Sequence, residues 1–444
     1  MVSPEALPRP WLRRILAWIG RRLRPLVDPN YEQSVARLAD LARAAKHLER
    51  AIDDQQRRLT RVEEQTARSR GELGAFRDRQ AEVRRTENAR VLGALDGIGD
   101  RLRRQVSWAQ RAHREGERLE GWRRQEALVL DRLGRLARSD EPIIVGPWTG
   151  EVGFELLYWI PFVRWVTRKF GLDPSRLVAV SRGGTSSWYG RLAGRYIDAF
   201  EFLTPDQFRT AVSAGSKQRR VRQLDLELLR RTRQRLGVSR VRLLHPALMY
   251  ELFYPVWKGQ ASLQRLHAFT MHESFGPAAR PAVFGRLPSS YVAARFYFSD
   301  CFPQTPENRE LIVGTLRRLT EQNDVVLLNP GFRVDDHDDF SGSSLPGVLR
   351  IDDIMKPEDN LAVQTAVIQG ASAFVGTYGG FAYLAPLCRV DAVGLFSVPS
   401  FFVQHLEVAL QAFDCVNGGR LTVVDSAAAA LISQAFGSGT AGSV

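Results

Sequence analysis

From Glu141 to about Asp425 the chain repeats one rhythm: a short apolar run, a glycine or polar turn, then a segment with helical spacing. PIIVGPW reads as strand and turn, and FELLYWIPFVRWVTRKF as an amphipathic helix. RLVAVSRGG is a strand and turn, and RVRLLHP and SSYVAARFYF are further strands. PENRELIVGTLRRLTE is a helix with Thr305 as N-cap and Pro306 at its first position. DVVLLNPG, SAFVGTYGG and DAVGLFS are strands, separated by the helices LAVQTAVIQGA and FAYLAPLC. Alternation at these lengths restricts the fold to α/β, with parallel sheets covered by helices on both faces. The strands are too many for one mononucleotide-binding unit. Two domains are therefore expected, 141–285 and 286–430, with the break in the Gly/Pro-rich GPAARPAVFGRLP. Residues 431–444 read as a disordered tail.

The preceding stretch, 31–140, contains almost nothing that breaks a helix. From Leu38 a heptad is readable, with Leu38, Ala45, Ile52, Leu59, Thr66, Leu73 and Gln80 at a. Leu41, Leu48, Gln55, Val62, Ser69, Phe76 and Val83 fall at d. The seam shifts to Val91, Leu95, Ile98, Leu102 and Val106, and resumes at Leu119, Trp122, Val129, Leu133 and Leu136. The expectation is a coiled coil that forms a homo-oligomer, or a helix folded back as a hairpin at the glycines 93–99. As one rod, a hundred such residues would span on the order of 150 Å. Before it, PRPWLRRILAWIGRRLRPLV (1–30 region) places two tryptophans and aliphatic residues on one face and arginines between. That pattern suits an anionic membrane surface, or docking on the same protein.

The net charge of +13 is unevenly placed, with +10 in residues 1–140 and +3 in the remainder. The α/β part is thus close to neutral, and nucleic acid is not an expected partner. Cys301, Cys388 and Cys415 are far apart, with no CxxC pair, which fits a reducing cytoplasm and neither a disulfide framework nor a zinc site. No run is long and apolar enough for a transmembrane helix.

In open parallel sheets, ligands bind at the carboxyl ends of the strands. The first strand delivers Gly146 to Glu155, a loop of glycines with Trp148, Glu151 and Glu155. Either carboxylate could deprotonate a hydroxyl, Glu151 first because it lies in the loop itself; a helix cap and a surface charge would look the same. The second strand delivers Arg182 and the RLLHP strand delivers His245, as acceptor-side candidates with Trp148. Arg295, late in an apolar strand, calls for an anion or an internal carboxylate. Asn329, Gly331 and Arg333 follow the next strand. Gly376, Thr377, Tyr378, Gly379 and Gly380 then stand between a strand and a helix, where free N–H groups hold phosphate well, or form a plain turn. Asp335 to Asp339 and His267/His272 lack the spacing of a metal site, so no metal is expected. No GxxxxGK[ST] and no GxSxG occurs, which removes P-loop hydrolases and serine-triad hydrolases.

YVAARFYFSDCFPQTPEN and VGTYGGFAYLAP, together with the Gly/Glu loop after the first strand, resemble the donor strand and donor turn of inverting, metal-independent GT-B glycosyltransferases. The likeness is to their fucosyltransferase-like and heptosyltransferase-like branches, over about 141–425. No His-x-Arg-Arg motif precedes the second half, unlike the usual fucosyltransferase pattern. The resemblance implies two Rossmann-like domains, the acceptor on the first and a nucleotide sugar on the second. It implies hexosyl- or fucosyl-type transfer without a cofactor, in cell-envelope polysaccharide synthesis. Arg295, Asn329, Gly331, Arg333 and Gly376 to Gly380 would hold the donor. Glu151, or Glu155, would be the base. A cytoplasmic enzyme at the inner face of the membrane is expected, with a glycan or lipid-linked acceptor. The alternative is a coiled-coil scaffold that binds a nucleotide sugar or glycan without turning it over.

Overall fold

A computed structural model describes residues 31–73, 81–212, 217–278, 282–332, 337–340, 345–400 and 403–428. The cationic stretch at the N-terminus, Arg333 and the tail 431–444 lie outside them. The chain divides into two compact units, one up to Leu128 and one from Val129 onward.

The first unit holds α1 (Tyr31–Leu73) and most of α2 (Ala81–Ala137). The side chain of Leu59 on α1 lies 3.6 Å from where a Cβ on Gly99 of α2 would stand. Given the short connection between the helices, that contact makes them antiparallel neighbours. Leu41, Ala45 and Ile52 are buried on α1, and Leu95, Leu102 and Ala109 on α2. Of the two expectations, this contact within one chain favours the folded-back hairpin over the single long rod. Gly93, Gly97 and Gly99 lie inside α2 and do not make the bend.

The second unit contains two parallel sheets. The first has the order β3-β2-β1-β4, from β1 (Ile143–Val145), β2 (Leu177–Ser181), β3 (Arg195–Asp198) and β4 (Arg242–Leu244). The second has the order β12-β11-β10-β5-β7-β9. Its strands are β5 (Val292–Arg295), β7 (Val325–Leu327), β9 (Val348–Arg350), β10 (Ala373–Thr377), β11 (Ala392–Phe396) and β12 (Leu421–Asp425). Beyond the end of β5, β6 (Tyr297–Phe298) pairs antiparallel with β8 (Asp338–Asp339). The helices include α3 (Val152–Phe154, a π-helical turn Glu155–Trp159, then Ile160–Phe170), α4 (Pro205–Val212), α5 (Gln223–Leu236) and α6 (Pro246–Trp257). They continue with α7 (Pro306–Thr320), α8 (Asn360–Gly370), α9 (Gly380–Leu387) and α10 (Val403–Cys415). Thr305 caps α7 as its sequence dictates, accepting from the Asn308 N–H at 3.2 Å.

One continuous apolar core joins both sheets, with Val145 and Trp159 in the same cluster as Val292 and Phe374. Polar contacts reinforce it. Trp188 Nε1 donates to Thr365 Oγ1 at 2.9 Å, and the Ala362 N–H donates to the Gly183 carbonyl at 2.9 Å. Gly183 has φ +68, and a Cβ there would meet Leu361 at 2.9 Å, so only glycine fits this approach. The helical segment does not stop at the globular boundary: Val129, Leu133 and Leu136 of α2 are buried in this core. Among the described residues no helix is long and apolar enough to cross a membrane.

Candidate active site

The carboxyl ends of the two sheets face a common cleft of ≈ 400 Å³. On one side it is walled by the loop after β1, from Thr149 to Phe154, and by Tyr158 and Arg182. On the other it is walled by Arg295, Tyr297 to Cys301, Tyr378 to Phe381, Tyr383 and His405.

The loop after β1 is held from beneath. Glu155 is fully buried, and its carboxylate accepts from Ser181 Oγ (2.6 Å), Tyr189 Oη (2.8 Å) and Arg182 (2.8 Å). Burial raises its pKa, and the opposing pull of Arg182 and its hydrogen bonds does not cancel that. Arg182 also donates to the Gly150 carbonyl at 2.6 Å, fixing the residue before Glu151. Glu151 is exposed at the cleft and is the N-cap residue of α3, in extended conformation with φ −66 and ψ 147. A π turn directly after the first helical turn points Glu155 inward, so the two glutamates do not share the cleft face.

On the second sheet, Gly376 pairs in register with Arg295, where a Cβ would stand 2.1 Å from the Arg295 carbonyl. Arg295 is buried at the cleft wall. It donates to Leu328 O and Asp339 Oδ1, both at 2.9 Å, and lies 4.6 Å over the Phe381 ring. Its Nε has no hydrogen-bond partner among the described residues. Gly379 (φ +144) leads into α9, and its missing side chain makes room for the Tyr297 hydroxyl. Gly380 and Phe381, the first residues of α9, line the cleft, and their N–H groups have no intrahelical acceptors.

Glu151, Arg182, Arg295, Tyr378, Gly379 and Gly380 come together at the cleft. The other sequence-predicted residues among those described do not line the cleft. Glu155 is buried in an ion pair with Arg182. Trp148 is fully buried and stacked 5.9 Å from Trp159. His245 is buried, accepting from the Ala247 N–H at 3.0 Å and lying 3.3 Å from Asp225. Asn329 clamps the end of β5 through the Phe296 N–H and C=O. Thr377 does the same on the other edge, accepting from Tyr297 N at 3.0 Å and donating to Tyr297 O at 2.8 Å. Gly376 serves strand packing, and Gly331 lies beside Asp352, 3.7 Å from where its Cβ would be.

Several cleft residues carried no sequence signal. Tyr158 Oη is hydrogen-bonded to His405 Nδ1, and Phe154 meets the same imidazole edge-on at 5.0 Å. Burial, aided by Lys217, holds His405 down to about 4, so the ring is neutral at pH 7. Tyr378 and Tyr383 share a hydroxyl–hydroxyl bond of 2.8 Å. Among the described residues no group of three or more His, Cys, Asp or Glu is placed to hold a metal ion.

No family profile matches the chain, and no curated protein matches it by sequence. Solved structures do overlap it. A glycosyl transferase family 9 protein from Veillonella parvula is 10% identical with a TM-score of 0.37, covering 68% of this chain and 90% of its own. The heptosyltransferase WaaC of E. coli, solved with ADP, is 14% identical with a TM-score of 0.34, covering 66% and 99%. The E. coli ADP-heptose LPS heptosyltransferase II is 9% identical with a TM-score of 0.35, covering 64% and 90%. At these TM-scores the superpositions are loose.

Proposed function

We propose that the chain is a glycosyltransferase that moves a sugar from a nucleotide-sugar donor to a glycan or lipid-linked acceptor in cell-envelope polysaccharide synthesis. One observation carries this reading. The N-termini of α3 and α9 converge on one cleft, where a Cβ on Gly153 would lie 3.4 Å from the Gly380 Cα. Two positive helix ends that border the same cleft favour an anion in it, and a diphosphate supplies that charge. Arg295 lines the same wall, with its guanidinium shared with Asp339 and its buried Nε without a hydrogen-bond partner among the described residues.

The reaction is a single displacement. Glu151 takes the proton of the acceptor hydroxyl as that oxygen bonds to the anomeric carbon. The bond from that carbon to the donor diphosphate breaks on the opposite face, inverting the centre. The electron pair leaves with the diphosphate, where Arg295 and the N–H groups of 379–382 stabilise the charge. The donor is a substrate, and no metal or cofactor enters the step. The cationic N-terminal stretch holds the enzyme at the inner face of the membrane, and the helical segment supports a homo-oligomer.

The test is thermal-shift binding of UDP, GDP, ADP, CMP and dTDP to the full chain, with and without chelator. One nucleotide should stabilise the protein, Arg295→Ala should abolish the shift, and chelator should leave it intact. No shift with any nucleotide would overturn the reading. A second reading draws on Arg295, two of whose nitrogens already meet Leu328 and Asp339: a glycan-binding module without turnover. Glu151→Gln separates the two. A transferase loses turnover by about 10²–10⁴-fold and keeps donor binding, whereas a binding module has no turnover to lose.

A further inference from the structure

A cationic edge borders the cleft on the side of the first sheet. Lys217, Arg219 and Arg220 are exposed, while Gln218 between them is fully buried. Gln218 Oε1 accepts from the Thr149 N–H at 2.9 Å, and its Nε2 donates to Pro147 O at 2.8 Å and Asp225 Oδ1 at 3.0 Å. Arg222 binds both Thr149 Oγ1 and Asp225. The edge is thus bolted to the same loop that carries Glu151, and its cations keep a fixed place relative to that carboxylate.

The cations are held in position by aromatic rings. Lys217 Nζ stands 5.5 Å over Phe154, a cleft wall residue. The Arg219 guanidinium and Lys258 Nζ stand 5.5 and 5.6 Å over the ring of Tyr254, which is 41% exposed. Among the described residues none of Lys217, Arg219, Arg220 or Lys258 forms an ion pair. Two nearby carboxylates are engaged elsewhere: Asp225 by Arg222, and Glu251 by Arg132. Burial raises the pKa of the Tyr250 phenol; the Glu151 carboxylate adds to that rise, and the Arg219 and Arg222 guanidinium groups oppose it. These cations outnumber the Glu151 carboxylate beside them, and the surplus creates a local positive field that draws an anion in.

We propose that this edge seats the acceptor, and that the acceptor is an anionic saccharide. Its carboxylate or phosphate lies on Lys217, Arg219 and Lys258 while its hydroxyl reaches Glu151. This rests on the glycosyltransferase reading for the role of Glu151, but the anion-binding edge stands by itself.

The experiment compares trigalacturonate with maltotriose, a neutral sugar of the same length, by calorimetry on the full chain. Lys217→Ala/Arg219→Ala is the test variant. Arg57→Ala/Arg61→Ala, on exposed α1 positions, controls for net charge. Trigalacturonate should bind at least tenfold tighter than maltotriose. The test variant should lose at least tenfold of that binding and the control less than twofold. Equal affinity for the two sugars, no binding of either, or an equal loss in test and control variants overturns the proposal. Vesicles of phosphatidylglycerol form the second arm: if the test variant loses these but never distinguished the sugars, the edge serves a lipid surface and the proposal fails. Nucleotide thermal shift is read in parallel. Its absence would sink the transferase reading while leaving the saccharide result intact.

Discussion

Gly153 and Gly380 meet across the cleft, and the contact is asymmetric. A Cβ on Gly380 would stand 2.9 Å from the Gly153 nitrogen and 3.0 Å from the Val152 side chain. A Cβ on Gly153 would come no nearer than 3.4 Å to Gly380 or Tyr383, an ordinary contact. Gly380→Ala must therefore push two backbones apart, whereas Gly153→Ala need not. The expected cost of Gly380→Ala is about 1–3 kcal/mol by urea denaturation, as for overpacking, with at least tenfold weaker nucleotide binding. Gly153→Ala should cost less than about 1 kcal/mol. Equal effects of the two substitutions would contradict this geometry.

The Glu155–Arg182 pair is buried and shapes the loop through the Gly150 carbonyl. Arg182→Met leaves a carboxylate in an apolar setting with only Ser181 and Tyr189 as donors. Breaking such a pair costs about 3–5 kcal/mol. Adding Glu155→Gln to Arg182→Met removes the stranded charge and should recover part of that loss. A double-mutant cycle by denaturant titration reads this directly. A purely additive cycle would mean the pair is not coupled.

The parallel α/β order was legible because apolar runs, glycine turns and helical spacing all agree from Glu141 onward. Thr305 and Pro306 marked the start of α7 unambiguously. The strands β3, β9 and β12 are only partly buried, and their mixed patterns hid them. Of the residues the sequence singled out, Glu151, Arg182, Arg295 and the turn at Gly379 line the cleft. The sequence could not tell a polar side chain that faces ligand from one that completes a sheet. Asn329 and Thr377 sit at strand ends, where either role is chemically sound. The structure places them on the Phe296 and Tyr297 backbone. Tyr158 and His405 are 247 residues apart and meet only in the folded chain.

Buried histidines and buried carboxylates pull the acid side of the stability profile in opposite directions. Burial holds His272 and His405 down to about 4, well below their ordinary 6.5. The unfolded chain therefore takes up protons first, and stability falls as pH drops from 6.5 toward 4. Burial raises Asp198 to about 6 from 3.8, against the hydrogen bonds from Gly184, Phe200 and Tyr196. Its contribution has the opposite sign, falling as pH rises from 4 to 6. Each group acts with about 1.4 kcal/mol per pH unit. Glu155, whose pKa burial also raises, shares the sign of the aspartate. The histidine contribution is therefore read by difference: relative to His272→Gln/His405→Gln, the unsubstituted protein should gain thermal stability as pH climbs from 4 to 6.5. Parallel pH profiles of the two proteins would overturn this assignment.

Thr377 gives the sharpest distinction between ligand contact and scaffold. Its hydroxyl both accepts from and donates to Tyr297, at the point where β5 ends and β6 begins. Thr377→Val keeps the shape and leaves a buried N–H and a buried C=O without partners. The cost of stranding such groups is about 1–3 kcal/mol each. Thr377→Ser retains the hydroxyl and should lose less than about 1 kcal/mol, mainly for one methyl group. If Thr377 held the donor instead, Thr377→Val would weaken nucleotide binding while leaving the melting temperature of the free protein unchanged. The two readouts, taken on the same pair of variants, assign the residue to one role.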